Sequence, residues 1–296
     1  MARPFLLEHI MNVENQKLAD IRLTLVGCGR MGTALLKGWL RTGLRPQNVS
    51  VLDPHPSDWL QAQAADGVQI NPTSVQVADV IVLATKPQYV ADAVASIGAD
   101  AATDKVLLSI AAGVTISQLE SMIDGPVSVV RAMPNTPAEV GQGMTGLVAN
   151  HINTSASISM ARLLMQAVGK VIVLSDEDQM HAVTAVSGSG PAYVFAMAEA
   201  LEDSGIALGL PQQTARALAV QTIMGAGALM TTSDVPASAL REAVTSPGGT
   251  TAAGLNELTA KGAGLKELIQ QTTNAAAAQS RALANNTPAL TRRTTP

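Results

Sequence analysis

The sequence predicts two folded regions: an α/β domain built on a doubly wound, mainly parallel sheet, and an all-α domain after it. Three observations carry this. The first half alternates short, unbroken apolar runs with helical stretches, the pattern of strands buried on both faces between crossover helices. The first of those runs leads straight into a glycine-rich turn. From about residue 154 onward β signals nearly vanish, and long alanine-rich helical stretches take over.

Strands are predicted at 21–26, 49–52, 80–84, 106–110 and 127–132, with helices at 33–41 and 57–65. Right-handed crossovers wind such units into one sheet with helices on both faces. A last β run at 170–174 closes this domain, drawn from 21 to 175. The helical domain is drawn from 176 to 285. Its long helices are 212–230, entered through Pro211, and 265–285. Residues 1–20 are expected to be a flexible extension: Glu8 and His9 interrupt the apolar patch, and no small-residue cleavage site of a signal peptide follows. Residues 286–296 read as a flexible tail. Alanine-rich helices are narrow and carry more apolar surface than a thin domain can bury, so helical packing between subunits is expected.

With 47% hydrophobic and 14% charged residues, the chain has an ordinary globular composition. A net charge of −4, with two each of Phe, Trp and Tyr, leaves neither a basic stripe nor a base-stacking surface, so nucleic acid is excluded. No apolar run approaches the roughly 20 residues that span a bilayer, so no membrane partner is expected. Cys28 is the single cysteine, which rules out an internal disulfide and fits a cytoplasmic setting. No metal site is predicted.

Gly27, Cys28, Gly29, Arg30, Met31 and Gly32 follow a strand and open a helix. That is the setting of a dinucleotide fingerprint in a Rossmann domain. The first glycine makes the tight turn, the second lets the backbone approach a pyrophosphate, and the third lets helix and strand pack closely. Free N–H groups at the helix start favour the anion. Asp53 ends the second strand, about twenty residues on, where a carboxylate accepts ribose hydroxyls and repels a 2′-phosphate. The alternative for Asp53 is a plain Asp-Pro turn. Two more segments end strands at the same edge: Ala84, Thr85, Lys86 and Pro87, and residues 109–113. Lys86 either meets a phosphate or ribose, or is a solvated lysine before a turn proline.

The helical half holds two interruptions. In Ser246, Pro247, Gly248, Gly249, Thr250 and Thr251, paired glycines precede a helix at 252–261. Such a turn reads either as an anion nest for a carboxylate or as a threonine-capped helix start. At 187–191, Ser-Gly-Ser-Gly-Pro lies inside a helical stretch and must kink or break it. No lysine lies between Lys170 and Lys261, and His181 is the only histidine in this region. Hydroxy-acid chemistry therefore lacks an obvious general base. A protonated imine brings its own proton and needs only to be oriented and held.

The segments GCGRMG, ATKPQ, SIAAGV, RAMPNTP (131–137), VTAVSGSGPAYVF (183–195) and REAVTSPGGTTAAGL (241–255) together resemble the pyrroline-5-carboxylate reductase family, from residue 21 to about 283. The resemblance implies a Rossmann domain, a C-terminal helical dimerisation domain, and NADPH- or NADH-dependent reduction of 1-pyrroline-5-carboxylate to L-proline. It implies a dimer as partner, with further assembly to a decamer. Residues 27–32, Asn71, Lys86 and Ala112 match cofactor-contacting positions, beside Ala84 and Pro87 at the same strand end. Thr250 and Thr251 match the substrate turn, where backbone grips the carboxylate and the Thr251 hydroxyl reaches the ring nitrogen. Glu177 matches a position near bound proline. Departures are Arg30 for Asn or Gln, Asp53 for Ser or Thr, His181 for Asp, and Ala243 for Asn. The Asp53 departure tilts cofactor use towards NADH. Rival readings are a β-hydroxyacid dehydrogenase, which the missing lysine disfavours, a reductase of another cyclic imine, and a non-catalytic NADP sensor, which would lack the SPGGTT turn.

Overall fold

A computed structural model describes residues 18–73, 78–98, 105–152 and 155–286. The chain divides into a sheet unit, Met1–Gly188 with Ala277–Pro296, and a helical unit, Ser189–Ala276.

Among the described residues the sheet unit holds eight strands. β1 is Leu23–Val26, β2 Val49–Leu52, β3 Gln69–Ile70, β4 Val80–Leu83, β5 Val106–Ser109, β6 Ser128–Met133, β7 Gly143–Ala149 and β8 Gly169–Val173. Their spatial order is β3-β2-β1-β4-β5-β6-β7-β8. All neighbours are parallel except β6 and β7. The order reverses beside β1, which places a crevice beyond the carboxyl ends of β1 and β4.

Alternation within each strand feeds two cores. Leu23, Leu25, Val80, Val82 and Leu108 face one side, with Leu35 and Trp39 of helix α1 (Arg30–Arg41) and the buried residues of α5 (Ser155–Gln166). Helix α2 (Asp58–Gln63) adds Leu60 to this side, under a Ser57 N-cap. Val26, Ile81, Leu83 and Leu107 face the other side, against α3 (Val90–Ile97) and α4 (Ile116–Ser121). The fully buried Trp39 donates its indole N–H to the Leu164 carbonyl at 2.8 Å, so the largest core side chain leaves no polar atom unpaired. Helix α6 (Gln179–Val183) and a π-helical turn, Thr184–Gly188, end this stretch.

The expected strands all form within a residue or two of their predicted bounds. One expectation needs correction, and by contact the two units divide elsewhere than predicted at both ends of the helical domain. Leu18 is buried and Ala19 accepts a hydrogen bond from Asn48 Nδ2 at 2.9 Å, so residues 18–20 belong to the core rather than to a loose extension; residues 1–17 lie outside the described residues. Divided by contact, the sheet unit runs past 175 to Gly188, because α6 and the π-turn pack on β7. The last helix, α11 (Leu265–Asn286), is as long as predicted, but from Ala277 it belongs to the sheet unit: its Ser280 hydroxyl meets His181 Nδ1 at 2.9 Å. The tail beyond 286 lies outside the described residues.

The helical unit contains α7 (Gly190–Ala207), α8 (Gln212–Thr232), α9 (Ala237–Ala243), α10 (Thr250–Leu258) and the start of α11. α7 and α8 approach closely at Gly205, where an added Cβ would lie 3.0 Å from that of Ala215. Ala215 and Ala219 are its buried apolar side chains among the described residues, whereas Phe195 (66% exposed) and Met224 (63%) lie open. No described helix is long and apolar enough to cross a membrane.

Candidate functional site

The loop after β1 is built as its sequence demands. Gly27 has φ +88, and a Cβ there would sit 2.8 Å from Thr85 Cγ2 and 3.0 Å from the Ala84 backbone. A Cβ on Gly32 would lie 2.5 Å from the Gly27 carbonyl oxygen. Gly29 differs: a Cβ there meets nothing within 4 Å, so this glycine faces open space. It is also the N-cap of α1, with no side chain across the helix start. The first-turn N–H groups thus point outward, unobstructed, where a pyrophosphate can be received. Arg30 is exposed beside them, and Met31 packs against the core. Cys28 is buried. Burial pushes its thiol pKa up, against a 3.5 Å contact with Thr33 Oγ1 that pulls it down.

A cleft of about 640 Å³ opens here, lined by Gly27, Gly29, Asp53, Asn71, Ala84, Thr85 and Lys86 among others. Asp53 makes the turn of its second reading and also ties the glycine loop. Oδ2 accepts the Cys28 N–H at 2.6 Å, tying the glycine loop, and Oδ1 accepts the His55 N–H at 2.8 Å, making the turn. Asn71, at φ +46, pairs its side-chain amide with the Asp53 backbone at 2.9 and 2.7 Å. Thr85 lines the cleft too, within a segment the sequence pointed to without giving Thr85 itself a role. Its Oγ1 is buried without a hydrogen-bond partner, and no spacing in the sequence signals that. Pro87 starts a 3₁₀ turn, Pro87–Tyr89, just past Lys86. Ala112 is exposed on the loop after β5 and is not among the residues lining this cleft. The glycine geometry, the open helix start and the acidic strand end fit a dinucleotide.

Glu177 accepts the Ile116 N–H at 2.8 Å and pairs with Arg131, whose side chain is nearly buried. Its carboxylate therefore joins the start of α4 to β6. The partners lie 46 and 61 residues away, so no local pattern reveals them. His181 is partly buried, and burial lowers its pKa, with help from the nearby Arg281 and Arg131 charges. No described group of three or more His, Cys, Asp or Glu side chains is placed to hold a metal.

In the helical unit, Gly248 has φ +73 and Gly249 is the N-cap of α10. A Cβ on Gly249 would meet Ser246 Oγ at 2.6 Å, so any larger residue there would turn the Ser246 side chain away. Thr250 and Thr251 occupy the first helical turn, both exposed. Neither caps the helix, which settles the alternative of a threonine-capped start. The start of α10 thus carries two exposed hydroxyls beside N–H groups that no side chain caps.

Two family models match separate parts of the chain. Residues 177–283 match the family model for pyrroline-5-carboxylate reductase dimerisation, and residues 22–113 match that for coenzyme F420-dependent NADP oxidoreductase. The pyrroline-5-carboxylate reductase of Pseudomonas aeruginosa is 39% identical over 266 residues, which cover 89% of this chain and 97% of that protein. The solved structure of a pyrroline-5-carboxylate reductase from Coxiella burnetii superposes with a TM-score of 0.83 at 34% identity, covering 89% of this chain and 98% of the other. That of a Plasmodium falciparum pyrroline carboxylate reductase with NADP bound gives 0.78 at 30% identity, covering 90% and 99%. On this likeness along almost the whole chain, the protein belongs to the pyrroline-5-carboxylate reductase family.

Proposed function

We propose that this protein reduces 1-pyrroline-5-carboxylate to L-proline, the final step of proline biosynthesis. The observation that carries the reading is the turn before α10. Glycines at 248 and 249 leave its first-turn N–H groups uncovered, and Thr250 and Thr251 expose hydroxyls beside them. A carboxylated ring offers the two groups this turn suits: an anion for the N–H groups and a ring nitrogen for the Thr251 hydroxyl.

A nicotinamide dinucleotide supplies the hydride when bound. The backbone of residues 27–32 holds its pyrophosphate, and Asp53, Asn71 and Lys86 meet its ribose and phosphate groups. Asp53 places a negative charge where NADPH carries its extra phosphate, so the protein accepts either cofactor with a tilt towards NADH. The protein's work on the substrate is orientation and retention of charge. The imine arrives protonated, and the absence of lysine from 171 to 260 costs it nothing. Glu177 is assigned to the substrate as a carboxylate paired with Arg131 rather than a free one.

The functional form is at least a dimer. The open apolar surface of α7 and α8 supports this, since Phe195, Met224 and Leu229 exceed what a lone subunit normally leaves exposed. Assembly to a decamer and a cytoplasmic setting complete the proposal. Turnover of the imine with each cofactor, measured for the wild type and for Thr251→Ala, tests it. Loss of substrate turnover with unchanged dinucleotide binding supports the roles assigned. Equal loss of both contradicts them.

A further inference from the structure

The sheet unit ends in a turn that its own helix cannot hold. Thr184–Gly188 winds as a π-helix, a rare form that persists where surrounding contacts enforce it. Four residues after Ser187 stands Pro191, which has no N–H. The α-helical donor for the Ser187 carbonyl is therefore missing, and a buried carbonyl without a donor is costly.

Asn135 supplies the donor. Its Nδ2 gives a hydrogen bond to the Ser187 carbonyl at 3.0 Å, while its Oδ1 accepts the Met144 N–H at 2.8 Å. The residue is 8% exposed, and both ends of its amide are committed. Other contacts converge on the same turn. The Thr184 and Ser187 hydroxyls donate back to the Met180 and Val183 carbonyls at 2.7 and 3.1 Å. Gly188 lies so near Met133 that an added Cβ would be 2.7 Å from the methionine methyl. Asn135 stands just past the carboxyl end of β6, which is parallel to β5 and, through it, to β4 and β1. It therefore works at the sheet edge on which the dinucleotide cleft opens.

We propose that Asn135 is a positioning residue for the reduction: its amide fixes the π-turn at the carboxyl edge of the sheet in place of the N–H that Pro191 lacks. This inference rests on the reductase reading for its effect on rate, but not for its effect on the backbone. Asn135→Asp keeps the acceptor for Met144 and removes the donor for Ser187. Asn135→Asp/Pro191→Ala also keeps the acceptor for Met144 and returns an N–H to position 191, which lets the turn regularise.

The full-length protein is measured in three ways. Amide hydrogen exchange across 184–192 should rise about tenfold or more in Asn135→Asp, whatever the substrate. Imine kcat should fall about tenfold or more, with dinucleotide Kd within about twofold. The double variant should regain the wild-type Tm while kcat stays low. Unchanged exchange in Asn135→Asp overturns the inference even if the enzyme is a reductase. Recovery of kcat together with Tm in the double variant makes Asn135 merely structural and overturns it too. A wild type that exchanges as expected but turns over no imine contradicts the reductase reading and leaves the backbone role of Asn135 standing.

Discussion

The sheet unit and the helical unit handle the same alanine- and leucine-rich chemistry in opposite ways. In the sheet unit, Leu25, Leu35, Trp39, Val82 and Leu108 are all but completely buried, and both sheet faces are covered. Burying each such side chain contributes roughly 1.5–3 kcal/mol. In the helical unit, Ala215 and Ala219 are the buried apolar side chains among the described residues, and Leu218, Met224 and Leu229 are more than half exposed. The first unit is finished by its own chain. The second leaves much of its apolar surface open.

Placing a charge on each unit should break the symmetry of that comparison most. Met224→Glu is predicted to weaken self-association by about a hundredfold or more, read by sedimentation or light scattering, because it buries an unpaired charge. Val140→Glu, at a site 69% exposed on the sheet unit, should leave the mass unchanged. Equal effects would show that the apolar faces of α7 and α8 are ordinary surface.

The next effect separates the two candidate binding turns. Gly32→Ala drives a Cβ into the Gly27 carbonyl, so dinucleotide affinity should fall by about a hundredfold, by titration calorimetry. Thr251→Ala should lower kcat/KM for the imine by about thirtyfold and leave dinucleotide Kd alone. Crossed outcomes, with Thr251 governing the dinucleotide, would merge roles that the account keeps apart.

A smaller shift is expected at Asp53. Asp53→Ser should raise NADPH use relative to NADH by about tenfold, from the ratio of kcat/KM values. It should also loosen the glycine loop, since Cys28 N–H loses its acceptor. No change in the ratio would reduce Asp53 to a turn residue. The smallest effect belongs to the exposed Arg22–Asp79 pair at the opposite sheet edge. Arg22, by its hydrogen bonds, holds the Asp79 carboxyl below its usual pKa. Its stabilising effect is therefore present above the ordinary carboxylate pKa and is lost as pH falls through the depressed one. Arg22→Met should move Tm at neutral pH by no more than about 2 °C.

What the sequence revealed follows from the range of each interaction. Buried strands announce themselves in unbroken runs such as VIVL at Val80–Leu83, and the glycine loop carries its conformation in its own residues. β7, Gly143–Ala149, was not legible: its glycines lower strand propensity, and they are there because Val168 and Val183 approach the backbone at Gly143 and Gly146. Periodicity identified the last helix but not the body it joins, because the His181–Ser280 contact spans 99 residues. The same holds within the candidate site. Asp53 and Gly249 were visible through local turn chemistry. The ties from Glu177 to Arg131 and from Asn135 to Ser187 join residues that no spacing relates.

The central claim is the reaction itself. Incubation of the purified full-length protein with 1-pyrroline-5-carboxylate and either nicotinamide cofactor, with proline quantified beside cofactor oxidised, tests it directly. The account predicts one L-proline formed per NADH or NADPH consumed. Absence of proline with both cofactors would contradict it.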